Sequence, residues 1–490
     1  MATLQDPPLP AAASPASSAV SRRRSWLAWL PFVLFLPLFC AIAWEKAERK
    51  NSGIQNNDEH AVFDYDQHAY LNMGRLMRDQ DYRKIVPRHR MPGFSFLLSA
   101  FSWQSDAYPI DPTGQDPRTV GEGYFFRAKV FTLFLACLSL VGLYALCRRF
   151  LPVVESHIVT WSFGWLVAVI RAPYVQPELI FYVLFLLSLV LLWRLLVQPR
   201  WWLALIAGLV LATAFIIKSS VVPLIALFVA CAGLRLLREL WLDRRRPDDA
   251  RGTVLGRVGE FGVALIVPAV FAGVLSPYLI NTARMHGSPL WDVHSKHYMW
   301  METDEEKRFW RAAGISDPGF VPPPDRELPT ARTYLSERSL SHVIERLKDG
   351  WNATLIMIKK RYEGWWIFIR KWLLPVLAVA AVLSYRRTLA GIRAHWIDGL
   401  LVTGFLIGYS ILYSWYQIIG VGPRLLLSIF LPIAFFASVI VHRLIDGRSF
   451  TIRGRTVPWR ALVNAGSIVF ITVHTIRLLT GDYWTLEGGR

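Results

Sequence analysis

Long apolar runs separated by short basic segments make up most of this chain. A helix needs about 20 mostly apolar residues to cross the hydrocarbon core of a bilayer. By that criterion the sequence predicts an all-α polytopic membrane protein with about eleven transmembrane helices and extracytoplasmic juxtamembrane helices. The fifth predicted span is short and joins the sixth through Lys218-Ser219-Ser220. The predicted spans are Trp26–Trp44, Phe126–Cys147, Val154–Arg171, Pro177–Leu196, Trp202–Ile217, Val221–Leu237, Phe261–Ile280, Trp366–Leu383, Ile397–Trp415, Leu425–Val441 and Ala461–Leu479.

Basic residues collect at alternate ends of these spans, as in Arg22–Arg24, Arg148-Arg149 and Arg244–Arg246. Cytoplasmic loops carry the excess of Lys and Arg, so this side is predicted to be the cytoplasm. The N-terminus is then inside, and residues 481–490 form an extracytoplasmic tail. Residues 1–21, rich in Ala, Pro and Ser, are expected to be a disordered cytoplasmic tail, and residues 22–480 a single transmembrane domain.

Two long segments, residues 45–125 and 281–365, fall on the predicted outer side. Both contain amphipathic stretches, such as Tyr70–Met77 and Leu340–Leu347. Helices lying along the membrane surface would account for such stretches. Neither segment is large enough to carry a core of its own, so we expect no separate soluble domain.

Composition agrees with a membrane protein. Hydrophobic residues make up 53% of the 490 residues and charged residues only 18%, below the roughly 25% usual in soluble domains. The net charge of +18 would suggest nucleic-acid binding in a soluble protein, but here the basic residues flank apolar runs, so membrane lipids are the expected partners and nucleic acid is not. Four cysteines lie in or beside apolar spans without CxxC spacing, which favours small buried hydrophobic residues over a zinc or disulfide site: Cys40, Cys137, Cys147 and Cys231.

A membrane location alone does not explain one pair of carboxylates. Asp64 and Asp66 follow the first predicted span, and a helix-compatible run begins after Asp66. An Asp in that place is a natural N-cap, and it is also suited to act as a rigidly held catalytic carboxylate. Asp64 fits a second acid, a metal ligand or a solvated loop residue. The chain has no Walker loop, GxGxxG after a strand, HExxH or GxSxG motif.

Other polar residues lie at the same predicted outer ends. Arg90 fits an interfacial basic cluster or a phosphate ligand, since guanidinium matches phosphate oxygens bidentately. Glu178 opens the fourth span, where a carboxylate must face protein or a water-filled cavity. Lys218 lies in the outer hairpin and either snorkels to the interface or serves a site. Further candidates are His89 and Arg424.

In this order the motifs resemble the GT-C superfamily of polyprenyl-phosphate-sugar glycosyltransferases, near the branch of protein O-mannosyltransferases and lipid A aminoarabinose transferases. Glu178 matches a Glu that opens the fourth span, and Lys218 stands where an Arg is common. After the seventh span the family's Pro-Trp-x-x-Arg-Asn reads Pro277-Tyr278-Leu279-Ile280-Asn281, with the nearest arginine at Arg284. The other similar segments are Asp66-Gln67-His68-Ala69-Tyr70, Arg90-Met91-Pro92-Gly93-Phe94, Phe126-Arg127-Ala128-Lys129, which leads into the second span, and Arg424-Leu425-Leu426-Leu427.

The resemblance implies transfer of a sugar from a lipid-phosphate donor to a hydroxyl of a lipid, glycan or protein acceptor, at the extracytoplasmic face of what we expect to be a bacterial plasma membrane. Asp66 is then the general base of an inverting displacement, and Asp64 is an alternative base or a ligand of a divalent metal. Dependence on a metal varies within the superfamily. No other cofactor is implied. The implied substrate-binding residues are Tyr70, His89, Arg90, Glu178, Lys218, Arg284 and Arg424.

Two other classes fit the same hydropathy pattern. A secondary transporter or lipid flippase also has many spans, but it usually places its polar groups near the membrane midplane. A non-catalytic scaffold would use Asp66 only as a helix cap.

Overall fold

The computed structural model describes residues 28–49, 67–79, 90–103, 122–245, 253–317, 319–417, 425–452 and 455–480. Most of these residues are helical. In chain order the elements are α1 (Leu30–Arg49), α2 (Gln67–Asp79), α3 (Pro92–Ser99), α4 (Glu122–Phe150), α5 (Val153–Arg171), α6 (Glu178–Val197), α7 (Trp201–Ile217), α8 (Val222–Asp243), α9 (Val254–His286), α10 (Val293–Lys296), α11 (Asp304–Ala312), α12 (Ala331–Glu337), α13 (Leu340–Arg361), α14 (Glu363–Leu383), α15 (Tyr385–Gln417), α16 (Leu427–Ile445), β1 (Ser449–Ile452), β2 (Arg455–Pro458) and α17 (Trp459–Thr480).

Within the described residues, nine helices are long and apolar enough to cross a membrane, namely α4, α5, α6, α8, α9 and α14 to α17. This confirms an all-α polytopic membrane protein. Each of the eleven predicted spans falls on a helix. The count of eleven is not confirmed, because the apolar part of α1, Leu30–Glu45, and α7, Trp201–Ile217, are shorter than the other nine.

Two helices extend well beyond the predicted spans. At 33 residues each, α9 and α15 are roughly 50 Å long at 1.5 Å per residue, whereas the hydrocarbon core is about 30 Å thick. Local signals fix the ends of α9: the Thr253 hydroxyl accepts a hydrogen bond from the Gly256 amide, and Gly287 ends the helix at a φ of 72°, a left-handed conformation that favours glycine. A kink at His395 divides α15 into two parts.

The first long outer segment contributes α2 and α3, which pack with the start of α4. These helices form a small apolar cluster of their own, apart from the main core of the bundle. Tyr70, Leu71 and Phe94 belong to it. Most of α2 is buried by protein, although the sequence pattern predicted a helix lying along the membrane surface. The close packing depends on Gly74, since a Cβ there would lie 2.7 Å from the Tyr124 hydroxyl oxygen.

The second outer segment, α10 to α13, has its own apolar cluster of Val293, Tyr298, Met301, Trp310 and Ile315. Arg346 of α13 joins this segment to α15. Its Nη2 donates to the carbonyl oxygens of Met299 and Met301, at 3.0 and 2.8 Å. Its guanidinium carbon lies 4.3 Å from the ring centroid of Trp415, which is a cation–π distance.

A short antiparallel hairpin, β1 and β2, joins α16 to α17, with Phe450 opposite Val457. It is the only sheet in the part of the chain that the structure describes. The hairpin was not predicted, because each of its strands has only four residues, too few for period-2 alternation to stand out.

The backbones of two helices approach each other closely at Gly350, where α13 crosses α15. A Cβ on Gly350 would overlap the carbonyl oxygen of Ser414. We expect Gly350→Ala to force the two helices apart and to lower the free energy of unfolding by about 1–3 kcal/mol, the usual cost of overpacking. The thermal midpoint of the purified protein in detergent measures this effect.

Gly399→Ala is the matched control, since it changes a glycine of α15, the other helix of this crossing, with open space around its Cβ position. Alanine is favoured over glycine inside a helix by roughly 0.5–1 kcal/mol, so the midpoint should stay level or rise slightly. Equal midpoints for the two variants would contradict a close crossing at Gly350.

Candidate functional site

The predicted site residues divide into two groups. Tyr70, Arg90, Glu178, Lys218 and Arg284 are described by the structure, whereas Asp64, Asp66, His89 and Arg424 lie outside the described residues. We call the end of the bundle at which α6 begins and α7 ends the outer end, following the orientation predicted from the basic residues.

Glu178 and Lys218 form a buried ion pair at the outer end. The Lys218 Nζ lies 3.0 Å from Glu178 Oε1, and their side chains are only 14% and 2% exposed. Glu178 is in the first turn of α6 and Lys218 caps the C-terminus of α7, so each charge also complements the dipole of its own helix. Lys218 therefore turns towards protein and does not snorkel to the interface.

Arg90 lies just before α3 and joins the two long outer segments. Its guanidinium carbon is 5.9 Å from the ring centroid of Tyr70, and its Nη1 is 3.4 Å from Nε2 of His294. Arginine has no acceptor atom, so the guanidinium donates and this imidazole nitrogen accepts. Burial raises the pKa of the nearby Tyr298 phenol, and the charges of Arg311 and Arg90 oppose that rise.

Asp292 fixes the second outer segment to the hairpin that follows α7. Its Oδ2 accepts a hydrogen bond of 2.7 Å from the Ser219 hydroxyl. Its Oδ1 accepts one of 3.0 Å from the His294 amide and so caps α10. Ser219 is next to Lys218 in the chain, and His294 contacts Arg90, so these two contacts join the ion pair to the arginine.

The first outer segment is fastened to the same region by three further contacts. The buried Gln67 side chain accepts a hydrogen bond of 2.8 Å through Oε1 from the amide of Val175, three residues before Glu178. A Cβ on Gly93 would lie 2.8 Å from the carbonyl oxygen of Ile216, so α3 packs directly on the last turn of α7. The Tyr278 hydroxyl lies 3.7 Å from the Met91 sulfur.

Not every predicted residue joins this cluster. Arg284 is exposed in the last turn of α9, and none of its contacts reaches the cluster within the described ranges. Tyr70 is a packing residue, with its ring edge-on to Phe94 at a centroid distance of 5.4 Å. The resemblance implied that both residues bind substrate. Among the described contacts, Tyr70 reaches the cluster only through its ring, which lies against the guanidinium of Arg90.

Five polar residues at the outer end received no site role from the sequence. Three of them are Ser219, Asp292 and His294, and the contacts of Asp292 with Ser219 and of His294 with Arg90 join residues far apart in the chain. The other two, Lys129 and Arg171, are buried cations in membrane helices, 2% and 4% exposed. Arg171 lies with its guanidinium carbon 5.6 Å from the ring centroid of Tyr362. Their position inside predicted spans was the available signal, since an ionisable residue in a span is a functional candidate by default.

The cluster brings two basic side chains, Arg90 and Lys218, together with the carboxylates of Glu178 and Asp292. Guanidinium and ammonium groups are the side-chain groups that bind phosphate oxygens. No group of three or more His, Cys, Asp or Glu side chains placed to hold a metal ion occurs where the structure describes the chain.

The ion pair gives a direct test of how the outer end is held. Breaking a buried pair costs about 3–5 kcal/mol because the remaining charge is left uncompensated. We therefore expect Lys218→Met to lower the thermal midpoint in detergent strongly, and the double variant Lys218→Met/Glu178→Met to recover most of the loss.

Arg308→Met is the control, since its pair with Glu305 has side chains 76% and 80% exposed and such pairs contribute little. A double variant as unstable as Lys218→Met alone would show that the two charges do not compensate each other.

In comparisons with known proteins, no family model, no curated protein and no solved structure matches the chain. The function is therefore argued from the residues of this chain.

Proposed function

We propose that this protein is a membrane glycosyltransferase that moves a sugar from a polyprenyl-phosphate donor to an acceptor hydroxyl at the outer end of the bundle. The observation that carries the proposal is the fastening of both long outer segments around Arg90, Lys218 and Glu178. The polar groups lie at helix ends, beside the boundary where a lipid phosphate resides. A secondary transporter would place them near the midplane.

The cations would hold the phosphate of the donor. Arg90 presents a planar fork of N–H donors that suits phosphate oxygens, and its contacts with Tyr70 and His294 fix where the fork points. Lys218 is a compact charge neutralised in part by Glu178, so it would hold an anion less strongly than Arg90. Arg424 is retained as a candidate from the sequence.

Asp66 is proposed as the general base. It precedes Gln67, whose side chain is hydrogen-bonded to the loop that leads to Glu178. In the reaction, the acceptor hydroxyl gives its proton to Asp66 while its oxygen forms a bond to the anomeric carbon. The bond from that carbon to the phosphate oxygen breaks, and its electron pair leaves with the lipid phosphate. A single displacement of this kind inverts the anomeric centre.

The groups of the site act on different atoms of this step. Proton transfer to a positioned carboxylate typically contributes 10²–10⁴-fold. Arg90 and Lys218 stabilise the negative charge that accumulates on the leaving phosphate. A divalent metal at Asp64 and Asp66 would strengthen the same stabilisation, and no step of the proposal depends on it.

Asp66→Asn removes the proton acceptor while keeping the shape of the side chain. We expect transfer to fall by about 10²–10⁴-fold at equal expression in membranes, and Asp64→Asn to have a smaller effect. The measurement uses the polyprenyl-phosphate sugar fraction extracted from the host membranes, with its consumption followed by mass spectrometry.

The control is Asp79→Asn, which changes an exposed carboxylate of the same outer segment that lies 3.5 Å from the buried Arg75 and is expected to keep normal transfer. Near-normal transfer by Asp66→Asn would remove this residue as the base. Full loss in Asp64→Asn with activity in Asp66→Asn would exchange their roles.

Arg90→Gln removes the charge proposed to hold the donor phosphate. We expect the KM for the donor fraction to rise about tenfold, which corresponds to about 1.4 kcal/mol, with a smaller change in kcat. Arg332→Gln, at an exposed position of α12, is the charge-matched control. An unchanged KM for the donor in Arg90→Gln would exclude this arginine from the phosphate site.

A further inference from the structure

The end of the bundle opposite the outer end, which we call the inner end, carries a short helix between two membrane spans. A kink at His395, with a φ of −121° and a ψ of 26°, divides α15 into two parts. The part after the kink contains the predicted span Ile397–Trp415, which at 1.5 Å per residue is long enough to cross the hydrocarbon core. The part before the kink, Tyr385–Ala394, joins the end of α14 to this span, and we call it the connecting helix.

Contacts with the bundle fix the direction of the chain at the kink. The Nδ1 atom of His395 lies 3.0 Å from Oδ2 of Asp398, one turn into the span. The other oxygen of this buried carboxylate lies 3.8 Å from Nη1 of Arg235 on α8. The connecting helix is therefore held at a defined angle and is not a free extension of α15.

One side of the connecting helix faces protein. Ser384, the residue before it, is buried, and its hydroxyl donates a hydrogen bond of 2.9 Å to the carbonyl oxygen of Leu444 on α16. Thr388 and Gly391 follow at i+4 and i+7 and are both half-buried. Residues at this spacing lie on one face of a helix, so the face of Ser384, Thr388 and Gly391 is turned towards the bundle.

An apolar stripe runs along the neighbouring face. It consists of Tyr385, Leu389, Ile392 and Trp396, at positions i, i+4, i+7 and i+11, and these four side chains are between 41% and 59% exposed. Large apolar side chains that are exposed together on one face mark a surface that contacts a membrane or a partner. The amphipathic pattern is therefore not explained by packing within the bundle.

The stripe continues the lipid-facing surface of the spans on both sides of it. Val382, at the end of α14, is 73% exposed, and Leu400, in the span after the kink, is 39% exposed. Both belong to helices that are long and apolar enough to cross a membrane. A stripe that joins the lipid-facing surfaces of two successive spans lies at the edge of the same bilayer, so lipid is the partner that covers it.

The charges of the connecting helix are all basic. Arg386, Arg387 and Arg393 are exposed, and the segment contains no Asp or Glu. Arg386 donates to the Tyr385 hydroxyl at 3.0 Å, and Arg387 to the carbonyl oxygen of Asp446 at 3.5 Å. Within the described ranges none of the three arginines pairs with a carboxylate. By helical spacing, Arg386 and Arg393 lie beside the stripe, on the side away from the bundle.

We propose that the connecting helix lies in the membrane interface and binds acidic phospholipids at the inner end. The apolar stripe would rest at the boundary of the acyl chains, as in other interfacial amphipathic helices. Arg386, Arg387 and Arg393 would contact the headgroups, and basic residues at a membrane surface are attracted to anionic lipids. A zwitterionic headgroup offers no net charge to compensate them. The interaction does not depend on the transferase activity proposed above.

Photocrosslinking tests which face of the connecting helix meets lipid. The full-length protein carries p-benzoylphenylalanine in place of Ile392, or in place of the exposed Ala394, which lies on nearly the opposite side of the helix. Each protein is reconstituted in vesicles of equal parts phosphatidylglycerol and phosphatidylcholine with identical acyl chains, irradiated and analysed by mass spectrometry. We expect at least about fivefold more lipid adduct from position 392 than from position 394, because an interfacial helix buries only its apolar face.

Equal adducts at the two positions, or crosslinks from position 392 to a second protein chain, would overturn the placement of the stripe in lipid. If the variant at position 392 does not purify as a folded protein, the probe at Leu389, another exposed residue of the stripe, decides the question.

The ratio of the two lipids in the adduct at position 392 tests the role of charge. We expect phosphatidylglycerol to exceed phosphatidylcholine at least about threefold, since the headgroups differ in net charge. The triple variant Arg386→Gln/Arg387→Gln/Arg393→Gln should bring the ratio close to one.

The charge-matched control is Arg308→Gln/Arg311→Gln/Arg332→Gln, which changes three exposed arginines of the outer helices α11 and α12 and should keep the ratio. Equal labelling by the two lipids with all arginines present, an unchanged ratio in the first triple variant, or the same fall in both triple variants would overturn acidic-lipid binding by the connecting helix.

Discussion

The buried contact between Lys218 and Glu178 is the constraint on which the outer half of the molecule depends. Two charges removed from water must be compensated within protein, and here each lies at the end of a different membrane helix, 3.0 Å from the other. Three further outer contacts attach within three residues of this pair. Gln67 binds Val175, Gly93 packs on Ile216, and Ser219 binds Asp292. Both long segments are therefore positioned by one closed hairpin of helices.

Hydropathy and basic flanks were sufficient to predict the class of fold and the helices that carry it. A bilayer forces backbone groups to pair within the segment, so an apolar run of the right length is a helix whatever its neighbours are. The same reasoning does not fix helix length outside the hydrocarbon. The true ends of α9 are set by Thr253 and Gly287, which are local capping signals, and they lie beyond the predicted span Phe261–Ile280.

The site was only partly readable from sequence, and the reason is physical. Hydropathy reports how deep a residue lies, not which helix is beside it. Glu178 and Lys218 were both predicted at the outer ends, but their contact joins positions 40 apart. His294 and Arg90 are 204 positions apart, and no local pattern relates them. For Asp292 the local pattern indicates a cap of α10, which it is, and only the fold shows that its second oxygen holds Ser219.

The contacts of Arg90 and Lys218 differ, and the difference bears on how each would act on a phosphate at the outer end. The Lys218 ammonium lies 3.0 Å from a carboxylate oxygen of Glu178, so part of its charge is compensated within the hairpin of α6 and α7. The Arg90 guanidinium lies 5.9 Å from the ring centroid of Tyr70 and 3.4 Å from an imidazole nitrogen of His294, and both contacts orient it. Charge interactions are screened by salt, and buried pairs are screened much less. Higher ionic strength should therefore weaken the binding of a phosphate that enters from water more than it weakens the pair of Lys218 and Glu178.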